Sequence, residues 1–478
     1  MSASRIACDV LVVGAGPAGL AAAAAARECG ADVVCLDLFA AAGGQYHMQP
    51  AVADGPFAAA PQVAEGRAAA DRCRALGVRF VLGAEVFWAE PGFTVFARRG
   101  DEGLAIRATT VVAATGAMER PIPFDGWTLP GVVAAGAAQR LVKANGAAPG
   151  RKVVLAGSGP FLLAVAETFA KAGLGLRAFV ELRRPGPGAL APFLRHPGRL
   201  AEAARLLAAL RRTAPVRLAG HAVIEALGDG RVEAVRVAPV GPGGRPRRER
   251  AFLIEDVDCL CVGYGFRPVI DLTSLLHAEH RFDDRLGGWH CAVDPATQET
   301  DVPGLFAAGE TTGIGGAAPA RLGGRLAGLG AARAAGRPVP PAGDLAATRR
   351  ALEKARDFAA ALAALYPFPG GLVGELSPAG TVCRCEDVTR ADVEAAIAEG
   401  ARDVFSVKMW TRAGMGPCQG RVCGPALGDL VAARLGLSPE AAGYNRPHMP
   451  LRPVPLAVAE AALALAEPVH PAAAGAEP

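Results

Sequence analysis

What this sequence most clearly lacks is a long unbroken apolar run. Every stretch of the length a membrane span needs, about 20 residues, is interrupted by Gly, Pro or a charged residue, so no transmembrane segment is expected. Charge of one sign is lacking too. The 50 Lys and Arg against 46 Asp and Glu leave a formal net charge of +4 on 478 residues, which supplies no reason to expect a nucleic-acid partner. A disulfide framework is a third absence. The 11 cysteines are odd in number and unevenly placed, which suits a reducing compartment, the cytoplasm, and one ligand cluster. A cleaved leader is not expected either. Val10–Ala26 is apolar and follows Arg5, but Asp9 precedes it and glycines at fixed spacing interrupt it.

What is present is a folded, multi-domain composition. The chain is 51% hydrophobic and 20% charged, typical of globular proteins. Its length calls for two to four domains of about 100–200 residues. Alanine dominates, and on composition alone reads as drift without chemistry.

The first apolar run, Cys8–Val13, leads into Gly14-Ala15-Gly16-Pro17-Ala18-Gly19. An alanine-rich helical stretch to Cys29 comes next, closed by Gly30, and then a second run, Ala31–Leu36, ends at Asp37. This is one βαβ unit. In such a unit Gly14 permits the tight turn, Gly16 lets the backbone approach a pyrophosphate, and Gly19 allows close helix–strand packing. Pro17 opens a helix whose free N–H groups favour an anion. Asp37 stands where an acid hydrogen-bonds a ribose hydroxyl.

The pattern recurs. Arg151–Ala156 reads as a strand, Gly157-Ser158-Gly159-Pro160 as a turn, Phe161–Ala172 as a helix and Leu176–Val180 as a strand ending at Glu181. Leu162 replaces the third glycine, so the helix–strand packing must differ. Glu181 could take a ribose 2′-OH, and Arg183 and Arg184 a phosphate. NAD(H), another adenine nucleotide or no ligand are all open at this unit.

Strand-rich stretches fill much of the rest. Val78–Trp88 and Phe93–Arg98 alternate apolar and polar residues. Thr109–Ala114 and Asp258–Gly263 read as buried strands, and Val216–Val240 as two strands around Gly228-Asp229-Gly230. Leu305–Ala308 is the last strand. Leu345–Leu365 reads as an amphipathic helix. The tail from Tyr444 is proline-rich at first and ends in a low-complexity Ala/Pro/Glu stretch that is expected to be partly disordered.

The compact unit Thr381–Gly436 carries two close cysteine pairs, Cys383-Arg384-Cys385 and Cys418-Gln419-Gly420-Arg421-Val422-Cys423, separated by a helical segment at Asp392–Glu399. Four thiolates from two turns can hold one metal or a [2Fe–2S] cluster. Zinc is the plain structural alternative. Its cysteine pairs usually have two to four intervening residues, and the one-residue gap between Cys383 and Cys385 argues against it. Gly414, Gly416 and Gly420 free the backbone to point N–H groups at sulfides.

Gly43-Gly44-Gln45, Thr115-Gly116 and Leu305-Phe306-Ala307-Ala308-Gly309-Glu310 come after the first glycine turn in a specific order. That order resembles the two-dinucleotide-binding-domain flavoproteins, the superfamily of thioredoxin and glutathione reductases, over about residues 5–335. The resemblance implies FAD held by Gly14, Gly16, Pro17, Gly19, Asp37, Gly44, Gln45, Thr115, Gly116, Gly309 and Glu310. It implies a nicotinamide nucleotide at Gly157, Gly159 and Glu181. Glu310 stands where that superfamily usually has Asp. The reactive C-x-x-C or C-x4-C dithiol of its disulfide reductases is missing near Gly44 and from the second unit, so disulfide chemistry is not expected. Cys259 and Cys261 share one face of a buried strand. Tyr46 and His47 could lie near a flavin ring, with packing or hydrogen bonding at least as apt for them as proton transfer.

The cysteine unit resembles the bacterioferritin-associated ferredoxin-like [2Fe–2S] domain. Further motifs widen the likeness: Thr115-Gly116-Ala117-Met118-Glu119-Arg120-Pro121, Gly126-Trp127-Thr128-Leu129-Pro130-Gly131-Val132, Gly263-Tyr264-Gly265-Phe266 and Arg452-Pro453-Val454-Pro455-Leu456. With these the chain resembles the α-type flavoprotein subunits of multi-subunit amine dehydrogenases, the group of opine oxidase, hydrogen cyanide synthase and hydroxyproline dehydrogenase.

The expected fold is α/β, with two Rossmann-like dinucleotide-binding domains of the disulfide-reductase type plus a small α-rich iron–sulfur domain. A split FAD domain (1–126 and 264–336) encloses a nucleotide-like domain (127–263). A linker helix (337–376), the [2Fe–2S] domain (377–440) and the tail (441–478) come after it. The implied role is an FAD- and [2Fe–2S]-dependent electron-transfer subunit. A flavoprotein β subunit would oxidise an amino acid, opine or imino acid, and a small ferredoxin-like subunit is a further candidate partner. The alternative is a self-sufficient NAD(P)H-dependent reductase. No residue is assigned to catalysis. The expected location is cytoplasmic, with peripheral membrane association through partners as a variant.

Overall fold

The apolar end of strand Ala3–Val13, Val10–Val13, is buried on both faces, and the strand lies at the centre of a seven-stranded sheet. In the computed structural model, which describes residues 2–465 apart from 51–54, 185, 187–192, 194–196 and 242–243, this strand pairs in parallel on both sides. One neighbour is Val33–Asp37, in the register Val10↔Val33. The other is Glu102–Ala113, from Ala3↔Gly103 to Val13↔Ala113. Arg79–Leu82 and Leu305–Ala307 extend the parallel part, while Thr94–Arg99 and Glu85–Glu90 add antiparallel strands.

The alanines are used. Helix Pro17–Glu28 buries eight residues, six of them alanine, against helix Ala317–Ala334. A Cβ on Gly324 would overlap the carbonyl oxygen of Ala18, and one on Gly328 that of Ala22. The two backbones therefore touch through glycines one turn apart, which larger side chains would forbid.

The second sheet is all parallel, in the order Arg217–Ala219, Leu176–Glu181, Val153–Gly157, Cys259–Gly263, Val132–Ala134. Helices Ala135–Asn145, Pro160–Lys171 and Pro197–Thr213 accompany it, together with a three-stranded antiparallel sheet, His221–Leu227, Ala234–Pro239 and Phe252–Glu255.

Two sequence expectations need correcting. Val78–Trp88 is two strands, because Gly83 at φ +68° turns the chain between them. Val216–Val240 is three, since Gly220 at φ +73° sends Arg217–Ala219 into the parallel sheet and the rest into the antiparallel one. Within the tail, helix Leu456–Leu463 lays Ala462 against Phe87, Phe96 and Ala105. The low-complexity end expected to be disordered begins beyond residue 465, outside the described residues.

After helix Ala342–Leu365 the chain builds a small unit with its own core of Val393, Val404, Val407, Leu427 and Val431. Its hairpin, Thr381–Cys383 with Val388–Thr389, leads into helix Arg390–Ala398. That helix starts earlier than its apolar pattern suggests because Thr389 and Asp392 form a capping box. Helices Val404–Thr411 and Gly424–Leu435 complete the unit.

Candidate cofactor sites

The first glycine turn shows what each glycine is for. Gly14 has φ +108°, and a Cβ there would overlap Ala114 O. A Cβ on Gly19 would overlap Gly14 O. Both are glycines because the protein itself leaves no room. Gly16 differs: its φ of −77° and ψ of −172° suit any residue, and the only atom within 4 Å of where a Cβ would sit is Gly44 Cα, at 3.9 Å. Neither strain nor packing asks for glycine at this position, so the bare face suits a group that approaches the backbone closely. It opens a helix with no side-chain cap, where free N–H groups favour a pyrophosphate. The residues fit a dinucleotide.

The other elements of this site converge on the same turn. Gly43 N donates to Ala15 O, which seats Gly44 over Gly16, and Gln45 Nε2 reaches Ala117 O at 3.3 Å. Thr115 Oγ1 lies 3.1 Å from Thr311 Oγ1, and Gly116 N donates to that hydroxyl at 3.2 Å. This joins Thr115-Gly116 to the Gly309–Thr312 turn. Gly309 in turn lies against Ala18. Glu310 accepts from Gly315 N at 3.2 Å and Gly316 N at 2.6 Å, at the head of helix Ala317–Ala334. Burial pushes its carboxyl up, and the two N–H groups oppose that. Asp37 accepts from Ala15 N at 2.5 Å and Phe39 N at 2.7 Å, so its carboxylate holds the glycine turn itself. His47, 2% exposed, gives Nδ1 to a 2.7 Å hydrogen bond with Gln62 O, while Tyr46 is half exposed. His47 thus packs and braces.

The second turn copies the first with one difference in reach. Glu181 accepts from Gly159 N at 3.2 Å and Arg183 N at 2.9 Å, the same bracing as at Asp37 but one residue further along the turn, as a longer side chain allows. Burial pushes Glu181 up to about 7. Leu162, in the third glycine's place, is fully buried in the core of this domain. Cys259 and Cys261 are fully buried with their Sγ atoms 3.7 Å apart.

The four clustered cysteines lie as successive neighbours, with Cys423 hydrogen-bonded to Cys383 and Cys418, and Cys418 to Cys385. As thiols, Cys383 and Cys418 are lowered by the neighbouring Cys423 thiol and by backbone N–H groups, while Cys423 is raised. Backbone N–H groups of Gly414, Glu386 and Cys385 point at Cys383 Sγ, and those of Val422 and Gly420 at Cys418 Sγ. Among the described residues no three His, Cys, Asp or Glu side chains meet in a set fit for a single ion. A row of four sulfurs with amide donors around them fits a two-iron cluster, whose own sulfides fill the middle.

Sequence reasoning assigned no role to the residues that dock this unit. Arg120, 4% exposed, donates to Asp429 Oδ1 and Oδ2 at 2.9 and 3.0 Å and to Asp284 at 3.0 Å, and its guanidinium lies 3.4 Å from the Phe368 ring centroid. Trp127 Nε1 donates to Thr381 O at 2.7 Å, Ser377 Oγ to Asp125 at 2.7 Å, and Arg267 Nη2 to Arg421 O at 3.0 Å, inside the second cysteine loop. Their signal was present, since Arg120 and Trp127 sit in the quoted motifs, but no spacing rule links them to residues hundreds of positions away. Replacing Arg120 with Met strands the Asp429 carboxylate in a largely buried place, at a cost of about 3–5 kcal/mol. Thermal unfolding of the variant should show this loss. Adding Asp429→Asn should recover a large part of it, and additive single effects would contradict the pairing.

Two family matches define the class. Residues 8–336 match the pyridine nucleotide-disulphide oxidoreductase family and residues 381–433 the BFD-like [2Fe-2S] binding domain. The chain belongs to that oxidoreductase family, as an FAD-type member carrying an iron–sulfur unit. It is 35% identical to an opine oxidase subunit of Rhizobium meliloti (strain 1021) over 473 residues, 94% of this chain and 97% of that one. It is 32% identical to hydrogen cyanide synthase subunit HcnB of Pseudomonas protegens over 466 residues, 93% and 96% of the two chains. The fold also matches the crystal structure of L-proline dehydrogenase from P. horikoshii, with a TM-score of 0.70 and 20% identity, over 96% of this chain and 80% of that one. The opine oxidase and hydrogen cyanide synthase relatives are, by name, subunits of larger enzymes. No helix among the described residues is long and apolar enough to cross a membrane.

Proposed function

We propose that the chain is the electron-transfer, α-type subunit of a heteromeric dehydrogenase or oxidase acting on the C–N bond of an amino acid, opine or imino acid. In this reading FAD is held by Gly14, Gly16, Pro17, Gly19, Asp37, Gly44, Gln45, Thr115, Gly116, Gly309 and Glu310, in a domain of residues 1–126 and 264–336. Residues 127–263 form the nucleotide-like domain, 337–376 the linker, 377–440 the [2Fe–2S] domain with Cys383, Cys385, Cys418 and Cys423 as ligands, and 441–478 the tail. The observation that carries the reading is the docking: Arg267, from the strand that comes after the nucleotide-like domain, grips the cysteine loop itself at Arg421 O. A flavin exchanges electrons in pairs or singly and an iron–sulfur centre singly, which together convert a two-electron oxidation into one-electron steps. The protein's part is to hold both groups in units docked to one another. A flavoprotein β subunit would bind and oxidise the amine, and a small ferredoxin-like subunit would be a further partner.

The competing reading is a self-sufficient NAD(P)H-dependent reductase, favoured by the retained Gly157-x-Gly159 turn and Glu181. Anaerobic spectra separate the two. With the co-purified partner, an amine substrate of this class should bleach the flavin band, while NADH alone should not. Bleaching by NADH without a partner, or no bleaching by any such amine in the intact complex, would discard the proposal.

A further inference from the structure

A glycine turn that receives a dinucleotide must leave its second glycine uncovered, and the two turns of this chain differ there. At Gly16 the place of a Cβ meets only another glycine's Cα, at 3.9 Å. At Gly159 it faces Cγ and Cβ of Tyr366, at 3.9 and 4.0 Å. Tyr366 is the residue that ends the 24-residue helix Ala342–Leu365, and the segment after it is tied down. Arg183 Nη2 donates to Pro367 O at 3.2 Å. Phe368 stacks beneath Arg120, and Phe358 on the helix meets Phe193 edge-on, with centroids 5.7 Å apart. The Tyr366 ring is close enough to Glu181 for that carboxylate to help burial push its phenol up. Glu181 itself accepts from the N–H groups of Gly159 and Arg183.

We propose that Tyr366 is a specificity-determining residue that excludes nicotinamide nucleotides from the second glycine turn. Pyrophosphate oxygens need to reach the turn's N–H groups at about 2.9 Å, and the Tyr366 side chain stands on the side of Gly159 from which they would come, its Cγ and Cβ 3.9 and 4.0 Å from where a Gly159 Cβ would sit. The segment that carries the ring is held in place, since Arg183 bonds Pro367 O and Arg120 lies over Phe368, so displacing it as a whole means breaking a hydrogen bond and a cation–π contact. The unit thus keeps the dinucleotide-binding framework as a platform for the linker, and reducing equivalents enter elsewhere. This rests on the reading of the chain as a partner-fed electron carrier and explains why NADH would be no donor to it.

The test is calorimetric titration of NAD+ and NADP+, which do not reduce flavin, into FAD-replete, cluster-loaded protein. Wild type and Tyr366→Phe, which keeps the ring, should give no heat at about 1 mM nucleotide, whereas Tyr366→Gly should bind one of the two at least about tenfold more tightly. Unchanged flavin and cluster absorbance shows that the variant is folded, and Tyr366→Ala serves if glycine loosens the segment. Binding by wild type equal to that of the open variants, or no gain in either open variant, overturns the proposal. Amine reduction of the intact complex does not depend on this turn, so failure of the electron-carrier reading shows separately, as an unbleached flavin.

Discussion

Changing Cys418 to Ser should abolish or reshape the EPR signal of the reduced protein and slow electron delivery while the flavin stays bound. Cys418 is central to the row of thiols, hydrogen-bonded on one side to Cys423 and on the other to Cys385. Its sulfur also receives the N–H groups of Val422 and Gly420. A serine alkoxide is a harder, more basic donor than a thiolate and sits closer to iron, so the cluster is either lost or altered in its potential. Wild-type protein prepared without oxygen should contain about two irons and two inorganic sulfides per chain. One zinc and no sulfide would replace the cluster with a structural metal site. Cys259→Ser is the control: that thiol is fully buried beside Cys261 in the second sheet, and its loss should leave iron and sulfide unchanged.

Changing Gly16 to Val should cost the protein its FAD. The backbone there already has ordinary extended φ and ψ, and a Cβ would meet only Gly44 Cα at 3.9 Å, so the fold should tolerate the substitution. What a branched side chain takes away is the bare face against which a pyrophosphate lies. Losing two charge-assisted hydrogen bonds at about 1.5 kcal/mol each weakens binding by about 3 kcal/mol, or ~100-fold in Kd. Flavin content after gel filtration, with circular dichroism as the check on folding, measures it. Stoichiometric FAD in a folded Gly16→Val protein would refute the assignment of this turn. Gly19→Val should fail differently, by not folding, because its Cβ would overlap Gly14 O.

These two experiments address residues that local sequence already singled out, and the reason is that both sites are built from short contiguous turns. The roles of Gly14, Gly16 and Gly19 are set by neighbours within one βαβ unit, and two cysteine pairs announce themselves by spacing alone. Other features were half legible. Asp37 and Glu181 stood out as strand-ending acids, but their backbone partners Ala15, Phe39, Gly159 and Arg183 emerge only when the turn is folded. The break at Gly83 within an alternating run was hidden because periodicity reports which face a residue takes, not where a chain bends.

The sequence by itself determined the two dinucleotide-type units, the order of motifs around the first and the four-sulfur unit near the C-terminal end. Each glycine turn and each cysteine pair arises from rules that act over short spans, and the motif order is read along the chain without any contact between its parts. The tertiary structure alone decided how those parts meet. Arg120 finds Asp429, 309 positions away, and Trp127 finds Thr381, 254 positions away. Tyr366 comes to lie beside Gly159. Such contacts depend on the packing of whole domains, where a buried guanidinium must find a carboxylate and a linker must lie on whatever surface is in its path. No local pattern encodes the partner of a residue so distant, which is why the closure of the second glycine turn became visible only in three dimensions.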